Sequence, residues 1–297
     1  PEKRWLTIMR SVCPNKNMKE FQKLTEYPSL YNHLEKKTAG EILTEINAED
    51  HKVADAVHAA IPQITRLVEQ LVPRMRKGGR LFYMGAGTSG RLGVLDASEI
   101  PPTYGMPQGR VIGLIAGGDT ALRRSVESAE DMEQSGWEEL KACRITSLDT
   151  VVGIAASGTT PYVIGTLRRC REEGILTASI ACNPGAPVSQ VAEIPIEVVT
   201  GPEYVTGSTR MKAGTAQKLV LNMISTATMI GLGRVEDNRM VHMQLTNKKL
   251  IDRGARMIAE STGLPYDEAC EWLRLYGSVS RAVEVFKESR LSGNKDL

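Results

Sequence analysis

The sequence predicts an α/β protein: a three-layer α/β/α sandwich built on a five-stranded parallel sheet, with helices ahead of it and a small helical appendage behind. Three observations carry this expectation. Five short apolar runs read as strands: RLFYMGA (80–86), RVIGLIAGG (110–118), TVVGIAASG (150–158), LTASIAC (176–182) and IPIEVVT (194–200). They are near-continuous rather than alternating, as strands covered on both faces are. Helical patterns lie between most of them, and strand–helix alternation means a parallel sheet with right-handed crossovers.

The elements follow in chain order. Residues 1–37 show no clean period and form an expected N-terminal extension, disordered over 1–17 and without the apolar core of a signal peptide. Thr38 and Glu41 fit a capping box, with Ile42, Leu43 and Ile46 on one face of the helix that follows. A second helix runs through 55–79, kinked at Pro62 and stopped by Gly78 and Gly79. Helices are expected over 88–99, ended by Pro101 and Pro102, over 120–143 and over 160–173. After residue 208 the pattern is helical throughout, over 209–231, 240–261, 266–275 and 279–288. The expected organisation is the extension (1–37), an α/β domain with its leading helices (38–235) and a C-terminal helical region (236–297).

Composition excludes several classes. The 297 residues are 41% hydrophobic and 24% charged, with a net charge of +2. That balance gives no basis for nucleic-acid or membrane binding. Three Phe supply no stacking platform for bases. The longest apolar stretch, LVLNMISTATMIGLG, is too short and polar to span a bilayer. Cysteines 13, 143, 170, 182 and 270 form no C-x-x-C and the four histidines no H-x-x-x-H, so no metal site is expected. Reduced thiols in a cytoplasmic protein are the simpler reading.

The chemistry starts at GAGTSG (85–90), which has the G-x-G-x-x-G spacing of a dinucleotide loop. That reading wants an acid closing the second strand, and Asp119 comes late. A strand, a glycine-rich turn and a helix start still make an anion site. Gly87, Thr88 and Ser89 provide it here. Ser157, Gly158, Thr159 and Thr160 repeat the arrangement after the third strand. Hydroxyls at a helix start either cap the helix or bind phosphate oxygens. Two such clusters at strand ends, with no Walker lysine, suit a sugar phosphate better than a nucleotide. Thr206, Gly207, Ser208 and Thr209 form a third loop and an expected N-cap, followed by Arg210, Lys212 and Lys218.

Two glutamates stand out. Glu99 ends the first sheet helix, where the macrodipole does not favour a carboxylate. Glu130 falls in line with Leu122 and Val126 on the expected 120–143 helix. A carboxylate edging an apolar face is suited to proton transfer. Glu127 and Asp131 fall in an adjacent, solvated row. The residues alone describe a phosphosugar-binding α/β protein with the makings of an enzyme.

Together, GAGTSGRLGVLDASEIPPTYG, GIAASGTTPYVI, ACNPG and VTGSTRMKAGTAQKLVLNM resemble the N-acetylmuramic acid 6-phosphate etherases, members of the sugar isomerase (SIS) superfamily. The resemblance covers roughly residues 24–285. It implies cleavage of the D-lactyl ether of N-acetylmuramic acid 6-phosphate, with no cofactor, by a homodimer in the bacterial cytoplasm. By motif, Glu99 of DASE and Glu130 of VESAED are the implied catalytic carboxylates. Gly87, Thr88, Ser89, Ser157, Gly158, Thr159, Thr160 and Ser208 are the implied phosphosugar contacts. Thr159 departs from the pattern, since some members carry arginine there. Two other readings are an aldose–ketose isomerase of the same superfamily and a non-catalytic phosphosugar sensor resembling the vertebrate glucokinase regulator. DASEIPPTYG disfavours the first, because isomerisation needs no acid for a leaving group at C3.

Overall fold

Strands of alternating inward faces build the sheet at the centre of the computed structural model, which describes residues 21–126, 128–245 and 248–292. The strands are β1 (Leu81–Gly85), β2 (Val111–Ile115), β3 (Thr150–Ile154), β4 (Leu176–Ala181) and β5 (Ile194–Glu197). All pairs are parallel, in the order β2-β1-β3-β4-β5. Leu81 and Tyr83 face one core; Phe82 and Met84 face the other. Burial on both faces explains why the strands read as continuous apolar runs.

Helices α1 (Ala39–Ala59), α2 (Ile61–Arg76), α3 (Gly87–Tyr104) and α8 (Lys212–Gly231) cover the first face. The second is covered by α5 (Ser135–Ala142), α6 (Pro161–Glu172) and α7 (Pro187–Val191). A short α4 (Thr120–Arg123) follows β2. Helices α9 (Lys248–Thr262), α10 (Tyr266–Tyr276) and α11 (Val279–Ser292) bury an apolar cluster of their own around Ala255, Ile258, Leu273 and Val279. The three-layer arrangement with a helical appendage is as the sequence predicts.

Several expectations are corrected. The Thr38–Glu41 capping box forms, but Leu43 is 66% exposed, and the buried face of α1 is Glu49, Val53 and Val57. The helix expected over 55–79 is two helices. Pro62 has no N–H and would clash with the carbonyl four residues back, so the chain breaks at Ala60 and restarts with Pro62 in the first turn of α2. Conversely, α3 does not stop before Pro101 and Pro102 but carries both to Tyr104. Ile100 and Met106 anchor this end in the core, and the Pro102 carbonyl accepts from the Gln244 N–H at 3.3 Å.

The helix expected over 120–143 is broken into α4, a 3-10 turn (Ala129–Asp131) and α5. Its expected apolar stripe is not buried, since Val126 is 37% exposed. Without that burial, the Ser-, Glu- and Asp-rich segment favours turns, and Ser128 takes the left-handed conformation at φ 68°. The chain after 208 is also not continuously helical. Residues 232–245 form turns and an isolated bridge between Glu236 and Arg239. The stretch 1–17 lies outside the described residues. Residues 21–37 lie on the body, with Thr25 buried and exchanging hydrogen bonds with Asn183.

Candidate active site

In a parallel sheet of this order the chain reverses direction between β1 and β3, and ligands bind beyond the strand C-termini at such a switch point. The loop after β1 and the loop after β3 flank it. Glycine is required twice in the first loop. Gly87 has φ 53°, and a Cβ on Gly90 would meet the Gly85 carbonyl and the Ile115 side chain at 2.6 Å. The start of α3 is thereby seated directly on β1. Its first N–H groups, on Gly87, Thr88 and Ser89, have no helical acceptor, and no side chain caps them. They present a positive end to an anion.

Across the switch point, the Ser157 and Thr159 hydroxyls lie 3.1 Å apart, and the Thr159 N–H donates to Ser157 Oγ. Gly158 turns the chain, donating to the Ala155 carbonyl and accepting from the Val188 N–H. Thr160 precedes α6 without capping it by its side chain. Asn183 holds this loop from behind, its Nδ2 donating to the Ser157 carbonyl at 3.0 Å.

On the β2 side, Gly87 and Glu130 line one cavity of about 470 Å³ together with Arg91, Ser125 and Ser128. The sequence-predicted loop glycine and one predicted catalytic carboxylate therefore meet at the C-terminal ends of β1 and β2. Glu130 reaches this place on the 3-10 turn rather than on a helix face.

Residues 63–171 match the family model of the glucokinase regulatory protein N-terminal SIS domain. Along nearly the whole chain, the N-acetylmuramic acid 6-phosphate etherase of Bacteroides thetaiotaomicron is 66% identical over 268 residues, 90% of this chain and 97% of that protein. The etherase of Bacteroides fragilis strain NCTC 9343 is 62% identical, covering 94% of this chain and 99% of its own. The etherase of Porphyromonas gingivalis strain ATCC 33277 is 65% identical, covering 90% and 98%. The chain belongs to the N-acetylmuramic acid 6-phosphate etherase family.

Not every residue singled out from the etherase motifs reaches the cavity. Glu99 is exposed and lies twelve residues beyond Gly87 on the same helix, roughly 18 Å along its axis at 1.5 Å per residue. It is not part of the Glu130 cavity wall. Ser89 is buried, and its hydroxyl donates to Gln217 Oε1 on α8 at 2.9 Å, so its backbone N–H rather than its hydroxyl is the available donor. Thr88 is partly exposed, and a side chain at Gly214 would touch its methyl. Ser208 donates its N–H to the Val205 carbonyl, outside the cavity.

The expected N-cap at Thr206–Thr209 is replaced by a distant acid. Glu203 is buried and accepts from the Lys212 and Ala213 N–H groups at 2.9 and 3.0 Å. Burial raises its carboxyl pKa despite these donors. Lys212 in turn pairs with Glu49 at 2.6 Å, both side chains 3% exposed. Burial pushes the Glu49 carboxyl up, but Lys212, Lys52 and Tyr31 outweigh it and hold it at about 2. The start of α8 is thus closed by internal partners, while that of α3 has no side-chain cap. Among the described residues no cluster of His, Cys, Asp and Glu suits a metal, and no helix is long and apolar enough to cross a membrane.

Proposed function

We propose that this chain cleaves the lactyl ether of N-acetylmuramic acid 6-phosphate, giving N-acetylglucosamine 6-phosphate and D-lactate. The observation that carries the reading is the meeting of the uncapped α3 start with Glu130 in one cavity beyond the sheet. Family membership supports the substrate. The α3 N–H groups, the Thr88 hydroxyl and the 157–160 loop bind the phosphate, and the sugar extends over Gly87 toward Glu130.

In the open-chain sugar the C2 proton is acidic because it lies next to the C1 aldehyde. Glu130 takes that proton as general base. The electron pair forms a C2–C3 double bond, the C3–oxygen bond breaks, and the lactyl oxygen leaves with a proton from Glu99. Water then adds at C3, and C2 regains a proton. The division of labour has one carboxylate take a proton and the other give one.

Glu99 stands outside the cavity that Glu130 lines. The reading therefore includes a homodimer in which Glu99 of the partner subunit completes the site. Leu95, one turn before Glu99, is 54% exposed, and Met223 and Ile230 are exposed on the adjacent α8, an apolar face of the kind that association covers. The reading needs no cofactor and places the chain in the bacterial cytoplasm, in recycling of cell-wall amino sugars.

Hydrolysis in heavy-oxygen water tests the bond that breaks. Label is expected in the C3 hydroxyl of the sugar and absent from lactate. Label in lactate instead would show displacement at the lactyl carbon and contradict the elimination.

A further inference from the structure

Arg91 stands four residues past Gly87 on α3, with its side chain in the wall of the Glu130 cavity. Its Nε donates to the Leu122 carbonyl at 3.1 Å. That bond fixes the guanidinium against the segment leading to Glu130, and among the described residues both terminal nitrogens are uncommitted. Among the described residues Arg91 makes no ion pair. Among the described residues it is the one cation in the cavity wall, and Glu130 is the one anion.

The substrate of the proposed reaction carries two anionic groups. Its phosphate has donors at the α3 start and the 157–160 loop. Its other anion, the lactyl carboxylate, sits one carbon away from the ether oxygen on C3. When Glu130 reaches the proton on C2, that carboxylate is brought close to the Glu130 carboxylate. Two like charges in one cavity repel unless a cation lies beside them. A planar guanidinium fixed at Nε presents its remaining N–H groups as a fork that matches a carboxylate.

We propose that Arg91 receives the lactyl carboxylate and so selects the lactyl ether over ethers that lack the acid. This rests on the etherase reading above. It makes Arg91 a specificity-determining residue, distinct from the phosphate contacts and from the two proton-transfer groups.

The test compares N-acetylmuramic acid 6-phosphate with 3-O-ethyl-N-acetylglucosamine 6-phosphate, which keeps the phosphate and the ether but has no carboxylate and releases ethanol. For Arg91→Gln, kcat/KM on the lactyl ether is expected to fall by about one to two orders of magnitude, mostly through KM, as loss of a charged hydrogen-bonded pair does. On the ethyl ether the change should stay within about threefold. Arg91→Lys should fall between, because it keeps the charge and loses the fork. Exchange of the C2 proton of N-acetylglucosamine 6-phosphate, a ligand with no lactyl group, reports that the variant is folded and its base intact. Equal losses on both ethers would assign Arg91 to the phosphate or to scaffolding and overturn the proposal, as would no loss on either. Wild-type protein that releases neither lactate nor ethanol would instead sink the etherase reading itself.

Discussion

In the proposed mechanism the two glutamates divide one reaction, so their variants should fail at different steps. Glu130→Gln is expected to stop exchange of the C2 proton with solvent deuterium, with a loss of about 10²–10⁴ in rate. Glu99→Gln should keep exchange and lose lactate release. Undiminished exchange in Glu130→Gln would place the base elsewhere. A buried acid on α3 gives a stability prediction. Asp96 on α3 accepts from Asn222 and Ser225 through Oδ1 and lies beside the buried Tyr83 hydroxyl. Burial lifts its carboxyl to about 6, against the pull of Ser225, Tyr83 and Asn222. A raised acid pKa means that the folded state holds the proton more tightly, so the cost of Asp96 is present above pH 6 and disappears as pH falls toward 4. Asp96→Asn should therefore raise stability at pH 8 by about 1–2 kcal/mol, with the gain shrinking in melts at pH 5. An unchanged difference across that range would refute the assignment. At this scale the long contiguous motifs contain Gly87 and Glu130, which the fold brings to one cavity. Asn183, Glu203, Lys212 and Glu49 act through contacts far along the chain, and no local spacing announces such partners.

At the scale of elements, the glycine loop and the α8 start are the parts that hold the site in place. Gly90→Ala would drive a methyl into the Gly85 carbonyl and Ile115. Overpacking of this kind costs about 1–3 kcal/mol, and here it also shifts the α3 start, so phosphosugar binding should weaken together with the melting temperature. Gly109→Ala offers a control, since its turn has open space around it and only the backbone strain of φ 82°. The buried Lys212–Glu49 pair ties α8 to α1. Removing one partner leaves a buried charge, and Lys212→Ala is expected to cost about 3–5 kcal/mol. Glu49 lies at about 2 against an ordinary 4.5, so its contribution is complete above pH 4.5 and lost as pH falls toward 2. Glu49→Gln should flatten that part of the acid unfolding profile. The five strands, α6 and the capping box were legible because burial and local chemistry agree there. The break at Ala60, the continuation through Pro101 and Pro102 and the loss of the 120–143 helix were not. Each depends on whether a surface is buried by something distant, which periodicity alone does not reveal.

For the whole molecule, the three layers and the separate C-terminal cluster follow from the order of strand and helix patterns, which one chain contains. The separation of Glu99 from Glu130 does not, because it becomes visible only when α3 is laid out along its length. A shared site predicts complementation. Mixing Glu99→Gln with Glu130→Gln subunits should restore about a quarter of wild-type activity, since half of randomly paired symmetric dimers carry one intact site. No recovery on mixing, with subunit exchange verified, would put both carboxylates in one chain. The most direct measurement is D-lactate release from N-acetylmuramic acid 6-phosphate by the purified protein, with no added metal or cofactor. The account predicts lactate and N-acetylglucosamine 6-phosphate in equal amounts. Binding of the phosphosugar without lactate release would contradict it and leave a sugar-phosphate sensor in its place.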